Sequence, residues 1–245
     1  MFLIVPYHVD VPMQRPPWAN WVLIALTMVC YPFCLWDGEL TSLGQSLVLG
    51  GDGLLGWVGY VLVHDGIFHL LGNMLFLWVF GNAVCAKVGN LAYPFIYFGL
   101  GLTAGLVSYM IDSRPTIGAS GAVNGIVGMF VVWYLFNEIS CWYCYWFFNL
   151  ANVGSFSIGS IWMVLFWLVF DIWGALRGGG NIAYIAHVAG FGTGFIVAVM
   201  LLTLRLVEME QGERSLLQLF SNEDESRPEP KNRFAKKPGQ RARKR

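Results

Sequence analysis

The chain has 245 residues and a formal net charge of zero; 56% of its residues are apolar and only 12% are charged. An ordinary soluble domain has roughly 25% charged residues. The composition therefore excludes that class and indicates a polytopic membrane protein.

Six runs of the sequence contain no charged residue. Each is long enough for the roughly 20 residues that a membrane-spanning helix needs. We therefore predict an all-α membrane protein whose six transmembrane helices form one bundle. The runs are residues 18–36, 66–86, 88–111, 115–137, 139–170 and 178–204.

The few charged residues predict the domain organisation and the orientation. Residues 206–245 hold ten Lys or Arg and seven Asp or Glu, so we expect a disordered tail, which the positive-inside rule places in the cytoplasm. Six spans then put the N-terminal segment 1–17 on the same side, with the membrane domain at 18–205.

Segment 37–65 has four acidic residues and no Lys or Arg, and we predict that it forms an outer loop associated with the membrane surface. Short connections and the lack of an Arg-rich leader favour a bacterial cytoplasmic membrane.

The first stretch whose residues could carry out a reaction is Thr116–Gly125. Small residues there surround Ser120 at the start of the fourth predicted helix. Gly118 and Gly121 allow turns and close approaches that a side chain would block. Ser120 can then lie at a helix N-terminus beside unpaired amide groups, which is the arrangement of an oxyanion site. The alternative is that Gly118, Gly121 and Gly125 only let two membrane helices touch.

The second and sixth predicted helices carry histidines near their outer ends. His69 and Asn73 are four residues apart and share one helical face. On the sixth helix, His187, Gly190 and Gly194 lie within about 60° of one another, so the histidine sits above a flat face that another backbone can approach. Such polar residues can simply hydrogen-bond neighbouring helices, but an ionisable residue inside a span is a functional hypothesis by default.

These residues together predict acyl-transfer chemistry. His187 can accept the hydroxyl proton of Ser120 and later protonate the leaving group. His69 and Asn73 can donate hydrogen bonds to the oxyanion, together with the backbone amide of Ser120. Asp171 is expected at the surface, near the outer end of the fifth helix, so we predict a Ser-His dyad without an orienting carboxylate.

Three motifs occur in this order on the predicted helices: His64 and His69 with Asn73, then Gly118 to Gly121 around Ser120, then His187 with Gly190 and Gly194. In this combination, over about residues 18–204, the chain resembles the rhomboid family of intramembrane serine proteases. The resemblance implies a six-helix fold and cleavage of a transmembrane or juxtamembrane segment. It also implies Ser120 and His187 as catalytic residues, with an oxyanion site from His69, Asn73 and the Ser120 backbone. His64 matches a family histidine whose role is supporting.

Two positions depart from the family pattern. Many members have an aromatic residue one turn after the serine that stacks on the histidine, whereas this chain has Asn124. Asn124 either orients His187 by a hydrogen bond or makes a simple interhelical bond. Members also often have a Trp-Arg pair in the first outer loop, whereas Trp57 here lacks the Arg.

The predicted function is that of an intramembrane serine endopeptidase whose substrates enter sideways past the fifth helix, Ile161 to Ala175. The alternative is a catalytically inactive rhomboid-like protein that binds membrane clients. The expected partners are membrane-protein substrates and the lipid bilayer, not nucleic acid. Neither a cofactor nor a metal is expected, because Cys141 and Cys144 lack the second Cys/His pair of a tetrahedral zinc site.

Overall fold

The computed structural model describes residues 2–51, 53–147, 150–177, 183–210 and 213–219. Its elements follow one another as β1 (Phe2–Val9), α1 (Trp18–Cys34), β2 (Leu35–Trp36), β3 (Glu39–Leu40), α2 (Ser42–Ser46), α3 (Gly56–Gly59), α4 (Ile67–Phe76), α5 (Asn82–Val88), α6 (Ala92–Ile111), α7 (Ser120–Tyr134), β4 (Glu138–Phe147), β5 (Leu150–Gly159), α8 (Ser160–Arg177) and α9 (Tyr184–Thr203). A π-helical turn, Leu77–Gly81, joins α4 to α5. Short 3-10 helices lie at Tyr60–Leu62 and Leu216–Leu219.

The chain is an integral membrane protein. Four helices of the described part are long and apolar enough to cross a membrane: Ile67–Val88, Ala92–Ile111, Ser160–Arg177 and Tyr184–Thr203. The apolar helices α1 and α7 are shorter, with 17 and 15 residues. Each of these six helices lies within one of the six charge-free runs or extends it by a few residues.

Helix α7 occupies the centre of the bundle. Every residue from Gly121 to Tyr134 except Asn124 is buried, which is the pattern of a helix that is apolar on all sides. It packs mainly against α9 and α6. The first residue of this central helix is Ser120.

A three-stranded antiparallel sheet departs from the predicted all-α class. Its strand order is β1-β4-β5, so the N-terminal segment pairs with the hairpin that connects α7 to α8. The charge-free run 139–170 is therefore part sheet and part helix, because its first half is rich in aromatic residues that favour strands. Alternation along β4 puts Cys141 and Cys144 on opposite faces; Cys141 is buried and Cys144 is exposed.

The segment between α1 and α4, the predicted first outer loop, packs against the bundle. Leu49, Tyr60 and Val61 are completely or almost completely buried, whereas Leu54 and Leu55 point outward with 87% and 71% of their surface exposed. The hydroxyl of Tyr60 donates a hydrogen bond to the carbonyl of Gly101 on α6, at 2.6 Å. The loop is thus fixed to α6 from its inner side.

The start of the charged tail also packs against the helices. The Lys87 ammonium at the end of α5 pairs with the Glu213 carboxylate, and both side chains are almost completely buried. Lys87 also lies over the ring of Tyr134, 5.6 Å from its centroid. Residues 220–245, most of the predicted disordered tail, lie outside the described residues.

Candidate active site

A cavity of about 830 Å³ lies between α4, α7, α8 and α9. Ser120, His187, His69 and Asn73, the residues that the sequence assigns to catalysis and to the oxyanion site, all line it. The structure therefore brings together side chains from three separate helices. Asn124, Ser108, Asp171 and Tyr184 are also part of the lining.

The turn before α7 has a shape that requires glycine. Gly118 has a φ of +114°, which side-chain-bearing residues rarely adopt, and a Cβ there would lie 2.8 Å from the His69 ring. Ser120 follows as the first residue of α7, so the amide groups of the first helical turn have no partner within the helix. This turn gives Ser120 the backbone environment of an oxyanion site.

The first outer loop holds this turn in place by backbone hydrogen bonds. Leu49 and Thr116 exchange two such bonds, of 3.0 and 3.1 Å, and the amide of Gly118 donates to the carbonyl of Tyr60 at 3.0 Å. The amide of Ala119 donates to Nε2 of His64 at 3.4 Å. His64 thus contacts the residue next to Ser120 and does not line the cavity.

The pKa of His64 leads to a prediction about acid sensitivity. Burial, followed by the neighbouring His69, lowers the pKa of the fully buried His64 to about 4, whereas a histidine in an unfolded chain has a pKa of about 6.5. The contribution of neutral His64 to stability is fully present above pH ~6.5 and is lost as the pH falls toward 4, because the unfolded state then binds the additional proton. We expect a loss of about 2 kcal/mol between pH 6.5 and pH 5, measured by thermal unfolding in detergent.

The matched variants are His64→Gln and His8→Gln. Glutamine at position 64 keeps a hydrogen-bond acceptor but does not titrate, so this variant should lose that part of the acid sensitivity. His8 is exposed on β1, and its replacement should leave the sensitivity unchanged. Equal acid sensitivity in the His64→Gln protein and the wild type would contradict the assignment.

Direct backbone contact between α7 and α9 sets the relative height of Ser120 and His187. A Cβ on Gly190 would lie 2.1 Å from the carbonyl oxygen of Gly121, and one on Gly194 would lie 1.8 Å from that of Gly125. The small-residue face that the sequence predicts on α9 therefore packs directly against the backbone of α7. It places the first turn of α7 beside the start of α9, where His187 lies.

The expectation that no carboxylate reaches His187 is wrong. Nδ1 of His187 lies 2.9 Å from Oδ1 of Asp171 on α8, and both side chains are mostly buried. The ring of Tyr184, one turn before His187, makes an edge contact with the imidazole at a centroid distance of 6.1 Å. This contact was missed because Asp171 is three turns into α8 and not at its surface end.

His69 and Asn73 form the other wall of the cavity. Nδ1 of His69 lies 2.6 Å from the Asp65 carboxylate, while the Nε2 side of the ring lies against Gly118. The Asn73 amide donates one hydrogen bond to the carbonyl of His69, at 3.1 Å. A side-chain amide has two hydrogens, so Asn73 retains one for another acceptor.

Asn124 hydrogen-bonds within its own helix. Its amide donates to the carbonyl of Ser120 at 3.0 Å, and His187 is contacted by Asp171 instead.

Two contacts of the site were not predicted from the sequence. The pair Asp65 and His69 could have been found from its four-residue spacing on one helix. Asp171 also carried a signal, as an ionisable residue within an apolar helix.

Comparison with known proteins gives a family for this arrangement. The family model described as Rhomboid domain matches residues 52–204, more than half of the chain. The chain is 38% identical over 68 residues to Rhomboid protease GluP of Bacillus subtilis (strain 168), covering 28% of this chain and 13% of that protein. It is 30% identical over 141 residues to RHOMBOID-like protein 4 of Arabidopsis thaliana, covering 57% and 32%.

A further relative is Putative rhomboid protease YdcA of Bacillus subtilis (strain 168), with 26% identity over 122 residues, 49% of this chain and 59% of that protein. The matched segments thus span less than two thirds of each of these three relatives. The matched domain contains Ser120, His187, His69 and Asn73, with the glycines that bring α7 and α9 together. The chain therefore belongs to the rhomboid family.

Proposed function

We propose that this protein is an intramembrane serine endopeptidase that cleaves transmembrane or juxtamembrane segments of other membrane proteins. The observation that carries the proposal is the meeting of Ser120, His187, His69 and Asn73 in one cavity of a rhomboid-family membrane protein. A hydroxyl, an imidazole and hydrogen-bond donors are the groups that acyl transfer requires.

In the first half of the reaction, Oγ of Ser120 attacks the carbonyl carbon of the scissile peptide bond and its proton passes to Nε2 of His187. The carbonyl electron pair moves to the oxygen, and the Ser120 amide and the second hydrogen of Asn73 stabilise the oxyanion. His69 can serve as a further donor to the oxyanion through Nε2 when that nitrogen carries a hydrogen, while its Nδ1 contacts Asp65.

In the second half, the tetrahedral intermediate collapses, the peptide C–N bond breaks and His187 returns the proton to the leaving amine. A water molecule then attacks the acyl-enzyme, with His187 again as the base, and Ser120 is released. Each proton that leaves a nucleophile thus reaches a leaving group, and the sequence of steps balances without a cofactor.

The substrate enters from the lipid, past α8. Most of the outward surface of α8 is apolar and exposed, including Trp162, Phe166 and Phe170. On the inner side, the rings of Phe76 on α4 and Trp167 on α8 meet at a centroid distance of 4.2 Å, beside the cavity that they also line. Separation of these two rings opens a path from the bilayer to Ser120.

The proposal includes six membrane crossings, with both ends of the bundle on the cytoplasmic side of a bacterial membrane. Helices α1 and α7 are shorter than the roughly 20 residues of a full span. Because neighbouring helices enclose α7, its length need not match the thickness of the lipid layer. The basic residues after position 206 support the orientation. The first outer loop, with Leu54 and Leu55 exposed, then contacts the outer membrane surface.

A fluorophosphonate probe tests whether the serine is activated. We expect the probe to label Ser120 of the purified protein, and His187→Ala to slow labelling on the order of 10²- to 10⁴-fold because the general base is lost. His8→Ala, which removes an exposed histidine from β1, should label as fast as the wild type. A folded wild-type protein that resists labelling would favour the inactive, client-binding alternative.

A further inference from the structure

The contact between Asp171 and His187 fixes which ring nitrogen of the histidine carries a hydrogen. Nδ1 of His187 lies 2.9 Å from Oδ1 of Asp171, with side-chain exposures of 14% and 15%. An ionised carboxylate only accepts hydrogen bonds, so Nδ1 is the donor. In the neutral ring, Nε2 is then the nitrogen with the free electron pair.

The packing of α8 on α9 holds this pair together. Gly174 lies one turn after Asp171, and a Cβ there would lie 2.6 Å from the ring of Tyr184. Tyr184 in turn lies one turn before His187 and touches its ring edge-on. The close fit of Gly174 and Tyr184 thus brings the carboxylate and the imidazole to the same level of the two helices.

We propose that Asp171 is a positioning residue for His187, so that the site works as a Ser120, His187 and Asp171 triad. This inference rests on the proposed function. As Nε2 accepts the Ser120 proton, the ionised carboxylate stabilises the positive charge that forms on the imidazole, and the hydrogen on Nδ1 stays where it is. Asp171 makes no contact with the substrate in this role and acts only through His187.

A purely structural tie between α8 and α9 is the competing account of the same contact. It predicts that loss of Asp171 lowers stability and lowers binding and turnover together. A positioning role predicts a loss confined to turnover, because only the transition state requires the imidazolium. The ratio of the effects on kcat and KM therefore separates the two accounts.

A matched control must remove the same charge from the same cavity without touching His187. Asp112 lines the cavity and pairs with Arg114, so Asp112→Asn meets both conditions. The titratable and charged groups that line the cavity with His187 are Asp65, His69, Asp112, Arg114, Asp171 and Tyr184.

The first experiment compares Asp171→Asn with Asp112→Asn in a cleavage assay. An amide can donate to Nδ1 and so stabilise the tautomer with the hydrogen on Nε2, which cannot accept the Ser120 proton. We expect kcat to fall on the order of 10²-fold or more in Asp171→Asn, with KM nearly unchanged, and no change in Asp112→Asn. Wild-type kcat in Asp171→Asn, or equal losses in both variants, would overturn the proposal.

The second measurement is made on the wild-type protein, and a variant serves only to assign its signals. Nitrogen-15 NMR of histidine-labelled wild-type protein in detergent reports which ring nitrogen is protonated, and the His187 signals are those absent from His187→Ala. We expect the neutral ring to carry its hydrogen on Nδ1. A hydrogen on Nε2 would overturn the positioning role, whereas cleavage by a Ser120→Ala protein would overturn the proposed function itself.

Discussion

Replacing Ser120 with alanine is expected to lower the rate of cleavage of a single-span membrane substrate by a factor on the order of 10⁴ or more. The loss is this large because the nucleophile, the general base and the oxyanion donors act as one unit. Alanine removes only Oγ from a half-buried site, so the protein should remain folded. The measurement is the cleavage rate in liposomes that contain purified enzyme and substrate.

Ser108 provides the matched control. It lines the same cavity and is also buried, but it lies near the end of α6 instead of the start of a helix, where no unpaired amides adjoin it. Ser108→Ala should cleave at the wild-type rate. Cleavage at the wild-type rate by Ser120→Ala, or a loss caused equally by both substitutions, would remove Ser120 from the mechanism.

The long apolar helices could be predicted because a bilayer imposes a length and an absence of charge that the sequence displays directly. The sheet was missed for the same reason. Freedom from charge is equally compatible with a strand and a helix, so it did not show that the residues before the fifth helix form the strands β4 and β5. Pairing of β1 with β4 joins residues more than 130 positions apart, such as Leu3 and Cys144, and no local pattern reports such a contact.

In the candidate site, contacts within one helix could likewise be predicted, whereas contacts between helices could not. Residues whose partners lie one turn away, such as His69 and Asn73, could be assigned from spacing alone. Asp171 could not, because its distance from His187 depends on how α8 packs against α9. The backbone hydrogen bonds of Leu49 and Tyr60 with the turn before Ser120 likewise depend on the path of the predicted first outer loop. The glycines and leucines of that loop do not predict its path.

Gly194 carries the largest expected effect on stability. A Cβ at this position would lie 1.8 Å from the carbonyl oxygen and 2.6 Å from the carbonyl carbon of Gly125. The obstacle is backbone inside the central helix α7, which cannot rotate away as a side chain can. We expect Gly194→Ala to destabilise the fold by about 3 kcal/mol or more, measured by thermal unfolding in detergent.

The same helix supplies the control, because a Cβ on Gly192 would meet nothing within 4 Å. Gly192→Ala should leave the stability unchanged or raise it by up to about 1 kcal/mol, since alanine favours a helix over glycine. In Gly194→Ala the outward shift of α9 also carries His187 away from Ser120, so fluorophosphonate labelling should fall together with stability. If both substitutions shift the unfolding temperature equally, the close contact of α7 with α9 does not set the geometry of the site.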